Sequence, residues 1–277
     1  MICLRYLRTG SDFVIRKEWN MNETVVMERQ ICGRSFLGSP MELIRLGTGK
    51  TAVLFCAGFG GQRQSTQLLE CFLKDLQDCA QRSLSPVGKI NVSWLFSVRS
   101  LYFCLKPNPD ATDIMEQKLS EDSPFLPRIT RLCGKTPLAL WSSNGRGVDP
   151  GCNFNYRFAQ YKSRGVSHPA PFGYCGSFPE SEPESACFAR LARAIRPRLF
   201  VHVTHGQGAL AFPNDHAPLK ELCMRYAPFE QWHPDFSASP EGWMAQELGT
   251  VCLRITADGE KGDYSLLRPL LFALSAY

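Results

Sequence analysis

The chain of 277 residues has no Cys-x-x-Cys pair, no run of like charge, and no apolar stretch approaching 18 residues. Each absence excludes something. Without a long apolar run there is no expected membrane-spanning helix, and the N-terminus "MICLRYLRTG" lacks the apolar core of a secretory signal. The expectation is a soluble, cytoplasmic protein. The 31 basic and 26 acidic residues give a formal charge of +5, but they are interspersed, so neither a nucleic-acid nor a membrane partner is indicated. Twelve cysteines without close pairing, several inside apolar patterns and in a chain too long to need staples, read as buried free thiols in a reducing compartment.

What is present is an alternation of strands and helices. Residues 41–47 alternate like a strand, and "TAVLFCAG" (51–58) is a continuous apolar run of the kind buried on both faces of a sheet. Leu68, Leu69, Phe72, Leu73 and Leu76 recur at helical spacing and predict a covering helix over 65–82. Residues 100–110 read as a strand ended by two prolines, and 112–133 as weakly helical, broken at Pro124 and Pro127. Residues 140–183 form a long irregular loop rich in Gly, Ser, Pro and aromatics, of the length that is usually functional. A helix over 188–195, a strand over 198–206, a short helix over 240–248, a strand over 250–256 and a closing helix over 266–274 complete the pattern. Such alternation predicts an α/β sheet with helices on both faces. Residues 1–30 are expected to be an N-terminal extension and 31–277 a single domain. "RKEW" ahead of Met21 could be encoded by a purine-rich ribosome-binding sequence, so the natural start is expected at Met21, with residues 1–20 translated upstream sequence.

The order of motifs resembles the zinc carboxypeptidases of the M14 type, especially the bacterial branch that cleaves γ-D-glutamyl-diaminopimelate bonds in peptidoglycan peptides. "CGRSFLGSPMELIRLGTGK" is similar to that family's opening strands, "VLFCAGFGGQRQST" to its first metal-ligand turn, and "LKPNPD" to its strand ending in Asn-Pro-Asp. "WSSNGRGVDPGCNF" resembles the substrate loop, "YCGSFPESEPES" the lead-in to the next helix, and "HGQG" the second metal-ligand turn. The resemblance implies a three-layer αβα sandwich with a central mixed sheet. It also implies a zinc ion on two histidines and a glutamate, a separate glutamate as base, and an arginine that polarises the carbonyl.

Carried over residue by residue, that set is damaged. Gly60 stands for the first histidine, Arg63 for the ligand glutamate, and Thr256 for the catalytic glutamate; His205 alone remains as a metal ligand. Gly151 and Cys152 replace the Asn-Arg pair that holds the substrate carboxylate, followed by Asn153 in register, while Arg146 matches as a possible carbonyl polariser. One imidazole beside a guanidinium is not a zinc site, so no cofactor and no peptidase of the family's kind are expected.

Three functions remain open on these residues. The first is a degenerate protein binding a peptide-like or peptidoglycan-derived ligand in the old cleft, with Arg63, Arg146, Asn153 and Cys152 as candidate contacts. The second is a working peptidase or amidase, either zinc-dependent or rebuilt from His205, Arg146 and either Asp258 or a Cys152 thiolate. The third is an interaction protein with a vestigial cleft. Arg63 reads either as an anion ligand at a helix start or as a solvated arginine ion-paired with a neighbour. His202, three residues before His205, should point to the opposite face of its strand. The aromatics Trp141, Phe154, Tyr156, Phe158, Tyr161, Phe172 and Tyr174 either line a pocket or fill the space beneath the loop.

Overall fold

A computed structural model describes residues 2–9, 13–20, 27–82, 90–227, 229–258 and 261–277, with side chains from residue 27 onward except 261 and 262. Ten strands form one mixed sheet in the order β1-β2-β3-β4-β6-β5-β7-β10-β8-β9. Its centre is parallel: β5 (Thr51–Ala57) lies between β6 (Arg99–Cys104) and β7 (Leu199–His205), and β7 pairs with β10 (Val251–Ala257). On one flank β4 (Pro40–Leu46) and β3 (Met27–Arg34) run antiparallel, and the hairpin of β1 (Ile2–Thr9) and β2 (Phe13–Asn20) continues the sheet through β3. On the other flank are the short strands β8 (Ala209–Ala211) and β9 (Glu230–Gln231). Met21, the expected natural start, lies outside the described residues.

The continuous apolar run of β5 is buried because both faces of the sheet are covered. Val53, Phe55 and Ala57 face a core completed by α1 (Arg63–Gln81) and α9 (Lys261–Ala276). Phe55 stacks on Phe103 at 5.1 Å and meets Phe72 of α1 edge-on at 5.4 Å. The alternate residues Leu54 and Cys56 face a second core with Phe188 and Ala192 of α6 (Pro183–Ile195) and with Trp243. The apolar stripe of α1 is buried as its spacing requires: Leu68, Leu69, Phe72, Leu73 and Leu76 all lie inside. Two cores on two faces make the three-layer αβα sandwich.

The structure corrects several boundaries. The strand expected over 100–110 ends at Cys104, because Pro109 opens a helix, α3 (Pro109–Met115), with the Asn108 side chain accepting from the Ala111 N–H at 3.2 Å. Proline at a first helical turn costs no hydrogen bond. Pro127 likewise begins α4 (Leu126–Cys133) instead of breaking a helix. The pattern reading missed α2 (Val92–Val98) and α7 (Ala217–Tyr226), and the stretch 140–183 contains the short helix α5 (Phe158–Arg164). Most of that stretch is nevertheless irregular. It is held by aromatics turned inward: Trp141 and Phe154 are fully buried, and Phe154 packs on Phe59, Phe188 and Trp243. Phe172, by contrast, is exposed.

Candidate functional site

The carboxyl ends of parallel strands bring distant residues together, and that is where open α/β sheets place their sites. β5 leaves the sheet through a glycine turn, Arg63 opens α1, and β7 ends at His205. Because β5 and β7 are neighbours, with Ala57 opposite Val203, Arg63 and His205 line one cleft of 520 Å³ together with Gln62, Gln64 and Gln117. The register of β10 sets Ala257 beside His205 and Thr256 beside Thr204. The residues carried over to a metal and a base position therefore converge on one edge of the sheet.

Their chemistry differs from that of a metal centre. A Cβ at Gly60 would run into the side-chain amide of Gln62, which fills that space. Arg63 is exposed and, among the described residues, makes no hydrogen bond or ion pair; its charge acts on Glu116, which lines the same cleft. α1 begins with no side-chain cap and no acidic residue in its first turn. Thr256 is nearly buried and its hydroxyl donates to the carbonyls of Gln207 at 2.5 Å and Ala209 at 3.3 Å, so it braces the turn after β7. Among the described residues no group of three or more His, Cys, Asp or Glu side chains is placed to hold a metal ion. One imidazole, with a guanidinium in the same lining and a single carboxylate, Glu116, that is paired with Lys118, falls short of the donor set that zinc takes.

The remaining candidates fall elsewhere. Arg146 lies outside the lining of this cleft: its guanidinium is 3.6 Å from Glu182 and stacks over the Phe36 ring at 4.8 Å. Asn153 is fully buried, its amide donating to the carbonyls of Cys175 at 2.7 Å and Phe178 at 2.9 Å and its oxygen accepting from Ser185 at 2.5 Å, so its polar atoms are spent on holding the loop. Cys152 is buried and donates to the Asp149 carbonyl at 3.3 Å. Burial, reinforced by the charge of Asp149, pushes its thiol well above the usual range, which opposes a thiolate nucleophile. Asp258 is exposed just past β10, its backbone N–H donating to the Asp263 carboxylate at 2.8 Å, and it does not line the cleft with His205.

Two buried polar clusters escaped the sequence reading. His202 does point away from His205, as strand alternation requires, and its Nδ1 lies 2.6 Å from Oε1 of Glu241. Glu241, on the short helix α8 (Pro240–Trp243), also accepts from Arg254 Nε at 2.5 Å. Burial works against its charge, but Arg254 and His202 together hold Glu241 well below the ordinary carboxylate range. The signal was available: His202 and Arg254 are polar residues in the middle of apolar strands, and β7 and β10 set them side by side.

The second cluster lies under the loop, where Asn144 donates to Glu182 at 2.8 Å and Glu184 at 3.0 Å while Asp110 accepts from the Gly145 and Leu37 amides. Burial, aided by the charge of Asp110, pushes the Glu184 carboxyl up to about 7.

The same architecture occurs in solved structures. The murein-tripeptide amidase MpaA from Escherichia coli O157 superposes with a TM-score of 0.56 at 19% identity, over 90% of this chain and 92% of that one. A metallo-carboxypeptidase from Burkholderia cenocepacia gives 0.59 at 15% identity, over 90% of this chain and 63% of its own. The fold is that of the carboxypeptidases. In sequence, the chain is 22% identical over 182 residues to γ-D-glutamyl-L-diamino acid endopeptidase 1 of Lysinibacillus sphaericus, a match spanning 65% of this chain and 46% of that protein. The chain thus matches about half the length of that curated relative. No protein-family profile matches it.

Proposed function

We propose that this chain is a degenerate carboxypeptidase-like protein, without zinc and without peptidase activity of the family's kind, that binds a peptide-like or peptidoglycan-derived ligand in the cleft between α1 and the end of β7. The observation that carries this reading is Arg63: a guanidinium that, among the described residues, has no hydrogen-bonded or ion-paired partner lines the same cleft as His205, where the resemblance places a metal. A cation there disfavours a divalent ion and attracts a carboxylate. Three glutamine side chains line the same walls and supply donors and acceptors for peptide groups. The murein-tripeptide amidase and the γ-D-glutamyl-L-diamino acid endopeptidase support, by their names, a ligand drawn from peptidoglycan peptides.

A γ-D-glutamyl-diaminopimelate peptide tests the reading. It should raise the melting temperature of the wild-type chain, since a ligand that favours the folded state stabilises it. The shift should vanish in Arg63→Glu, and the peptide should be recovered intact. Turnover that disappears in His205→Ala would establish the working hydrolase instead.

A further inference from the structure

The Arg63 cleft adjoins a second cavity. This cavity of 390 Å³ is lined by Ile114, Leu119, Leu126, Ile129 and Leu138, with Thr130 and Cys133 on its wall. Gln117 and Leu138 belong to the linings of both cavities, so the Arg63 cleft and the second pocket meet at a common wall. Each is within the size range that holds a small ligand. The apolar pocket sits over the satellite core formed by Ala111, Ile114, Ile129 and Trp141 on α3, α4 and the start of the long loop. Among the described residues, Glu116 in the Arg63 half is paired with Lys118, while Arg63 makes no ion pair. One acidic residue, Glu121, stands in the lining of the apolar half.

We infer that the two cavities form one bipartite site for an acidic amino acid or short peptide that carries a hydrocarbon arm, its carboxylate at Arg63 and the arm in the pocket between α3 and α4. The inference rests on the binding reading above and names the ligand class for that site. Charge fixes the orientation: a carboxylate gains from Arg63, whereas the second pocket offers chiefly hydrocarbon and, at Glu121, a charge that repels it. Gln62, Gln64 and Gln117 line the Arg63 cleft, and side-chain amides suit the peptide group that joins the two anchors. The arm could be an N-acyl chain or a large apolar side chain; both present the same chemistry to the pocket.

The test measures calorimetric affinities of the full chain for N-acetyl-, N-hexanoyl- and N-octanoyl-D-glutamate, and for N-acetyl-D-glutamyl-L-phenylalanine beside its alanine analogue. Affinity should rise about fourfold per methylene that enters the pocket. A rise with chain length alone assigns the arm to an acyl group, and a gain for phenylalanine over alanine alone assigns it to a side chain. Thr130→Trp, at an exposed position on the pocket wall, should abolish the gain while leaving N-acetyl-D-glutamate binding unchanged. Arg63→Glu should weaken every probe. Cys133, a free and partly exposed thiol in the pocket wall, should be shielded from iodoacetamide by the long-armed probe and not by the acetyl probe. Affinities independent of the arm, with Cys133 unshielded, overturn the bipartite site and leave the binding reading standing. Failure of every probe, together with no thermal shift from the γ-D-glutamyl-diaminopimelate peptide, removes both.

Discussion

Arg63 and His205 face the same cleft although 142 positions separate them, one as the first residue of α1 and the other as the last of β7. Parallel pairing of β5 with β7 makes them neighbours. The consequences of placing a guanidinium beside that imidazole can be measured.

If the carried-over positions are correct, the double substitution Gly60→His with Arg63→Glu should rebuild a three-donor site with His205. Gly60 is not held in a left-handed conformation, and only the movable end of Gln62 stands in the way. The expected outcome is stoichiometric zinc in the double variant and a melting temperature that rises with added zinc. Failure to bind zinc, with the fold intact by circular dichroism, would place the turn elsewhere.

The cluster of His202, Glu241 and Arg254 makes a stability prediction. Removing the carboxylate in Glu241→Ala leaves His202 and Arg254 without their shared acceptor inside the core. Such a break typically costs about 3–5 kcal/mol. Urea unfolding should show the midpoint falling at unchanged slope; a loss below about 1 kcal/mol would mean that the triad is dispensable.

Glu184 predicts the direction of a pH effect. Its folded carboxyl titrates near 7 against an ordinary 4.5, so between those values the folded chain binds more protons than the unfolded one. Stability contributed by this group is therefore present below about 4.5 and is lost as pH rises toward 7, by an amount on the order of 3 kcal/mol. Asp110, also raised by burial, acts in the same direction. Glu184→Gln should flatten this part of the stability profile between pH 5 and 8; an unchanged slope would assign it elsewhere.

The cysteines should react by exposure. Cys71 is exposed whereas Cys152 is buried, and its thiol is pushed up. Brief alkylation of the native chain, mapped by mass spectrometry, should label Cys71 and spare Cys152. Faster labelling of Cys152 would revive it as a nucleophile.

The parts legible in the sequence were those set by periodicity. β5 and α1 announced themselves because a doubly covered strand is apolar throughout and a covering helix repeats every three to four residues. The three-layer arrangement and the turn carrying Gly60 and Arg63 followed from that order and the resemblance. Elements whose reading hinges on proline were misjudged, because Pro109 and Pro127 start helices at positions that need no amide hydrogen. The inward role of Asn153, the pairing of Arg146 with Glu182 and the Glu241 triad were not legible. Each depends on residues tens of positions apart whose meeting is decided by strand order and loop path. His202 beside Arg254 came nearest, since polar residues inside two apolar strands need a shared partner when buried.

Zinc content of the purified wild-type chain, measured by mass spectrometry after dialysis against buffer with micromolar zinc, tests the account most directly. The account predicts far less than one ion per chain. One tightly held ion per chain, lost on His205→Ala, would contradict it.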